Sequence, residues 1–125
     1  LLIGGYAVGY YGHPRGTVDI DVWISTSAEN AEKMTKVLID FGIPSSRVSP
    51  QTLTQKNQVF RMGVPPHRVE VLTSISGVSF DGCYPHREIT VIDGIEVSLI
   101  SLEHLKINKK ASGRLKDLSD LENLP

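Results

Sequence analysis

Ile3-Gly4-Gly5-Tyr6-Ala7-Val8-Gly9-Tyr10-Tyr11-Gly12-His13-Pro14-Arg15-Gly16-Thr17-Val18-Asp19-Ile20-Asp21-Val22-Trp23-Ile24 sets a glycine pair after one apolar run and two aspartates inside the next. Leu1-Leu2-Ile3 reads as a buried strand closed by the glycines. Thr17 to Ile24 reads as a second strand. Alternate residues of a strand share a face, so Asp19 and Asp21 project together. Val18, Ile20 and Val22 point the other way, toward the core. Neighbouring carboxylates resist ionisation unless something positive lies between them. Mg²⁺, which favours carboxylate and phosphate oxygens, meets that need. A solvated strand face with Arg or Lys partners meets it too, and the spacing alone leaves both readings open.

Working outward, Gly4-Gly5 precedes a short helix predicted over Tyr6–Tyr11. A strand–glycine–helix junction presents backbone N–H groups at a positive helix end, which suits a phosphate. A tight turn that needs positive φ uses the same residue type. A phosphate cradle close in sequence to a carboxylate pair is more specific than either feature alone. Arg15 sits four residues before Asp19, in a glycine–proline loop at the mouth of such a site. It either faces a phosphate or compensates the acids.

The run Ile3-Gly4-Gly5, then thirteen residues from Tyr6 to Val18, then Asp19-Ile20-Asp21-Val22 resembles the signature of the DNA polymerase β-like nucleotidyltransferase superfamily. It is most similar to the small bacterial members grouped with the AbiEii-type toxins. Arg68-Val69-Glu70-Val71-Leu72-Thr73 and the ending Gly113-Arg114-Leu115-Lys116-Asp117-Leu118 with Asp120-Leu121 resemble later segments of that group. The resemblance implies an α/β fold: a small mixed, mainly antiparallel sheet with helices packed on one face. It implies Mg²⁺-dependent transfer of a nucleoside monophosphate from a nucleoside triphosphate to an acceptor hydroxyl, with release of pyrophosphate. Two Mg²⁺ ions serve such chemistry and generally need a third carboxylate. In the family that acid comes from a strand beside the one carrying the pair, and Glu70 is its counterpart here, where Asp is commoner. The alternative for Glu70 is a cross-strand ion pair. Asp19, Asp21 and Glu70 would hold the metals, Gly4 and Gly5 the phosphates, and Lys106 would bring charge to the triphosphate. The acceptor is left open among a tRNA 3′ end, a protein hydroxyl and a small molecule. A homodimer or a partner protein could complete the site. The competing reading is a catalytically degenerate binding module acting as a toxin–antitoxin partner; a further one is an unrelated α/β domain with a fortuitous acid pair.

Composition bounds these readings. At 125 residues the chain holds one domain with a modest core, spanning 1–125. A hydrophobic share of 40% and a net charge of −1 mark an ordinary globular chain with no global attraction for nucleic acid or membrane. No apolar run approaches membrane-spanning length. The single cysteine, Cys83, excludes an internal disulfide and fits a reducing, cytoplasmic compartment, where its role is packing. The chain begins without methionine, which leads us to expect a preceding segment that includes a helix over the first strand.

The rest of the chain alternates element types. Thr26 to Glu29 has capping-box form and opens a helix with Ala31, Met34, Leu38 and Phe41 on one face, stopped by Gly42 and Pro44. A short helix is possible over Gln51–Lys56. Val59–Met62 and His67–Thr73 read as strands, and Arg68, Glu70 and Leu72 share a face of the second. Ser74 to Pro85 reads as an irregular connection. Asp93-Gly94 between Ile89-Thr90-Val91 and Ile95-Glu96-Val97 is a hairpin signal. From Ser101 the pattern is helical, with Leu102 and Leu105, then Leu115, Leu118 and Leu121, broken over Lys109–Gly113. Arg114 and Asp117 are spaced to pair on one helix. His13 beside Pro14 reads as a loop histidine, with a ligand role as the alternative, and His67, His86 and His104 show no metal-ligand spacing.

Overall fold

A computed structural model describes residues 1–12, 19–64 and 68–125. The strands are β1 (Leu2–Ile3), β2 (Asp19–Trp23), β3 (Val59–Met62), β4 (Arg68–Leu72), β5 (Glu88–Ile92) and β6 (Ile95–Leu99). They form one sheet in the order β3-β4-β2-β1-β6-β5. β1 runs antiparallel to β2, β3 to β4 and β5 to β6, whereas β1 with β6 and β2 with β4 are parallel. The helices are α1 (Gly4–Tyr10), α2 (Ala28–Asp40), α3 (Pro50–Leu53), α4 (Phe80–Cys83), α5 (Leu102–Ser112) and α6 (Leu115–Asn123). The architecture is mixed α/β. Among the described residues no helix is long and apolar enough to cross a membrane.

The parallel pairing of β2 with β4 organises the sheet. Its register sets Asp19 beside Arg68, Asp21 beside Glu70 and Trp23 beside Leu72. These six side chains therefore share one face, and Ile20, Val22, Val69 and Val71 share the other. The hydrophobic core is split accordingly. One cluster joins Ile3 and Trp23 to Ala7 and Val8 of α1, Cys83 of α4 and Leu105 of α5. The other joins Val71 to Ala31 and Leu38 of α2 and Leu53 of α3, with Val22 and Val69 packed against it. Helices thus cover both faces, which corrects the expectation of a single helical layer. The reason lies in β2 itself. Trp23 follows the two acids on their own face, and a side chain of that size buries only under its own helical cover.

Several elements differ in detail from the sequence expectation. The first helix begins on Gly4, so the glycines form its first turn instead of preceding it. The cap of α2 is Ser27, whose side chain accepts from the Asn30 N–H, one residue after the predicted Thr26. Phe41 falls outside that helix and is 69% exposed. Ile20, expected in the core, is 37% exposed, and Val18 lies outside the described residues. The predicted helix over Gln51–Lys56 is Pro50–Leu53, capped by Ser49. The supposedly irregular connection holds α4, capped by Ser79, and a 3₁₀ turn over Tyr84–His86. α5 continues to Ser112, and the break is Gly113 alone, at φ 70°. The hairpin is as expected: Ile92 pairs with Ile95 around Asp93 and Gly94, both at positive φ.

The last helix departs most. Leu115 is 88% exposed and Leu118 is also exposed, while Asp117 and Asp120 are buried. Lys109 of α5, itself buried, explains the inversion. Its Nζ lies 3.1 Å from an oxygen of each aspartate. A carboxylate goes inside only against a compensating charge, so the ion pairs decide which face of α6 turns inward.

Candidate metal centre

Each acid of the centre is positioned by backbone pairing. Asp19 and Asp21 are alternate residues of β2, and Glu70 is the register partner of Asp21 on β4. One oxygen from each of the three carboxylates lies within 4.8 Å of the other two. The structure therefore brings together the three acids expected from the sequence. The Asp19–Asp21–Glu70 cluster can hold a metal ion.

Two arginines already meet the outer acids. Arg68 donates from Nε to Asp19 Oδ1 at 3.0 Å and from Nη2 to Asp19 Oδ2 at 2.9 Å. Arg61, the register partner of Glu70 on β3, donates from Nε to Glu70 Oε1 at 2.9 Å. Both readings of these acids, cation ligands and cross-strand ion pairs, are thus visible in one geometry. Hydrogen bonds from Arg68 hold the Asp19 carboxyl below its ordinary value. Asp21 is the contrasting member. Burial pushes its carboxyl up, and the charges of Glu70 and Asp19 push the same way. Its Oδ1 is buried without a hydrogen-bond partner among the described residues. A carboxylate oxygen in that position is a ligand atom in need of a positive charge.

The glycine pair closes against this acid. Gly4 stands at φ 67°, and a Cβ there would lie 2.3 Å from Asp21 Oδ2. Only glycine lets the chain turn from β1 into α1 so near the carboxylate. Gly4, Gly5, Asp21 and Glu70 line one cavity of about 360 Å³, together with Arg61, Ser112, Arg114 and Lys116.

Of the other expected site residues, Lys106 is not brought to the acids. Its Nζ bonds to the Pro125 carbonyl instead. Arg15 lies outside the described residues, as do His13 and His67. The cations on the α5–α6 side of the cavity are Lys109, already paired with two aspartates, and Arg114 and Lys116. Arg114 pairs with Asp117 as its spacing predicted, Nε to Oδ2 at 2.7 Å. Burial alone would raise the Asp117 carboxyl, but hydrogen bonds from Arg114, Ser112 and Lys109 outweigh it and hold it well below the usual carboxylate range. Arg61 had no distinguishing signal beyond its alternation in β3, because only the register aligns it with Glu70. Asp117 and Asp120 carried one: they sit three apart, off the leucine positions of the same helix.

A scan against protein-family models finds no match for this chain, and a search of curated proteins also returns none.

Proposed function

We propose that the chain is a nucleotidyltransferase of the DNA polymerase β-like type. It would move a nucleoside monophosphate from a nucleoside triphosphate to an acceptor hydroxyl. The observation that carries this reading is the half-buried Asp21 carboxylate: one buried oxygen has no hydrogen-bond partner among the described residues, and the group sits beside two further carboxylates and against a glycine turn. Burying one acid among two others destabilises a fold unless a cation completes the group. An all-carboxylate donor set suits Mg²⁺. Asp19, Asp21 and Glu70 would hold the metal, one ion or two. When bound, Mg²⁺ supplies charge that makes the α-phosphorus more electrophilic and neutralises the departing pyrophosphate.

The chain's own residues do the rest. Gly4 and Gly5 present backbone N–H groups to the β- and γ-phosphates. Arg114 and Lys116, on the lining of the same cavity, add positive charge. Glu70 accepts the proton of the attacking hydroxyl as its oxygen bonds to the α-phosphorus. The bond from α-phosphorus to the bridging oxygen breaks, and pyrophosphate leaves with the electron pair. Arg68 and Arg61 pair with Asp19 and Glu70, and these pairs would have to yield for the acids to hold the ion.

The test is incubation with labelled ATP, GTP, CTP and UTP against total RNA and lysate protein, with and without Mg²⁺. Metal-dependent labelling that vanishes in both Asp19→Asn and Asp21→Asn is the expected result. Full turnover in both variants rejects the assignment. The arginine pairing of Asp19 and Glu70 favours a second reading, in which the acids are neutralised for good and the domain is a binding module for a partner protein. That reading requires that Mg²⁺ and nucleotide leave the melting temperature unchanged.

A further inference from the structure

β5 ends the sheet, and among the described residues nothing pairs with its outer side. It reads Glu88-Ile89-Thr90-Val91-Ile92, a run of β-branched residues after one acid, which favours a strand. Ile89 is 50% exposed and Val91 67%. The hairpin decides which backbone groups of β5 are free. Asp93 and Gly94 both stand at positive φ, the two-residue turn in which the flanking pair, Ile92 and Ile95, exchanges both hydrogen bonds. By alternation Thr90 and Glu88 also turn their N–H and C=O toward β6, and Ile89 and Val91 turn theirs outward. The usual guards of a sheet edge are missing. β5 has no lysine or proline, and its register with β6 runs without a bulge from Glu88 to Ile92. The opposite edge, β3, carries Arg61.

We propose that β5 is the interface with a second copy of this chain, joined antiparallel about a two-fold axis between the two Thr90 residues. Residues with outward backbone groups can pair only with others of the same kind. Centred on Thr90, Ile89 of each copy faces Val91 of the other, and all of their outward N–H and C=O groups are used. Thr90 then faces Thr90, a pairing whose hydroxyls can bond across the strands. Arg87 and Asp93, just beyond the two ends of β5, fall opposite each other at both ends of the interface. A register shifted by two residues sets Arg87 against Val91, or Asp93 against Ile89. Charge complementarity and the apolar match therefore choose the same register. The Arg87 guanidinium is already ordered: Nη1 donates to the Tyr84 carbonyl at 3.0 Å, and Cζ lies 4.0 Å from the centre of the Tyr84 ring. Five strand residues a side bury less than the roughly 1,200 Å² of a stable interface, so the dimer is weak. It forms at high concentration, and dilute protein, as in a thermal scan, is monomeric. β1 and β6 lie between the acids of β2 and the pairing edge. This dimer thus adds nothing to the metal centre and stands whether or not the chain transfers nucleotides.

Sedimentation velocity from low micromolar to near-millimolar concentration tests the association. Wild type should pass from monomer to dimer over that range. Val91→Lys sets an ammonium against Ile89 at both ends of the pairing and should raise the dissociation constant about tenfold. Mild oxidation tests the register. In Thr90→Cys the new thiols occupy a non-hydrogen-bonded pair with about 4.5 Å between Cα atoms, within reach of a disulfide. In Ile92→Cys, on the same strand face, the equivalent residues of the two copies stand roughly 14 Å apart. Cys83 is 1% exposed and does not compete. A disulfide-linked dimer is expected from Thr90→Cys and not from Ile92→Cys. Any result in which Thr90→Cys fails to cross-link in preference to Ile92→Cys overturns the proposal, as does an undiminished dimer in Val91→Lys. A wild type that stays monomeric throughout also overturns it, and leaves the edge to a strand of a different protein.

Discussion

Asp21 carries both a cost and a use. Its carboxyl is pushed up by burial and by its two acidic neighbours, so the folded chain holds that proton more tightly than the unfolded one. The sign follows: this contribution to stability falls as pH rises from the ordinary carboxylate value of 3.8 through the folded value. At neutral pH without metal the group is a penalty. Asp21→Asn should therefore melt a few degrees higher than wild type and, under the proposed function, show no stabilisation by Mg²⁺ and no transfer. The gain should close as pH falls below 3.8, which thermal scans across pH would show. Gly4 is the second decisive residue. Gly4→Ala meets a left-handed φ and an oxygen 2.3 Å away, and should cost about 1–3 kcal/mol together with activity. Gly9→Ala, in the same helix with nothing within 4 Å, should gain about 0.5–1 kcal/mol. Urea denaturation of the two variants separates a required turn from an incidental glycine.

Among the elements, α6 is held by charge. Lys109→Met leaves Asp117 and Asp120 buried without their ammonium, which should cost about 3–5 kcal/mol at neutral pH. With its partners present, the depressed Asp117 carboxyl contributes stability that is full above the ordinary value of 3.8 and lost as pH falls through the folded value. In the variant the acids can protonate, so its deficit should shrink toward acid pH. A deficit constant with pH would show that packing, not charge, seats the helix. Arg114 lines the cavity and pairs with the same Asp117, so under the proposed function this variant should also bind triphosphate more weakly than wild type.

Across the whole molecule the two sheet edges differ. β3 presents Arg61, whereas β5 reads Glu-Ile-Thr-Val-Ile with Ile89 50% and Val91 67% exposed. An apolar edge strand is a template for unwanted pairing. Val91→Lys should slow aggregation on heating and leave the melting temperature unchanged, as light scattering beside circular dichroism would record. At the centre, the adjacent strands β1, β2 and β4 bring the glycine turn and all three acids together. The site therefore stays formed for as long as the middle of the sheet does.

Local order was written in local sequence. The Asp19–Asp21 alternation, the strand at Val59–Met62, the Asp93-Gly94 hairpin and the Arg114–Asp117 pair depend on residues a few positions apart, and period and turn chemistry reach that far. Glu70 was nameable as the third acid only through a resemblance, but its place beside Asp21 comes from a parallel register between strands nearly fifty residues apart in the chain. Register also brought in Arg61, and packing turned Lys106 away while Lys109 drew two aspartates inward. Which face of a helix goes inside, and which cation meets which acid, is settled by burial free energy summed over distant partners, and no window of neighbouring residues contains that sum.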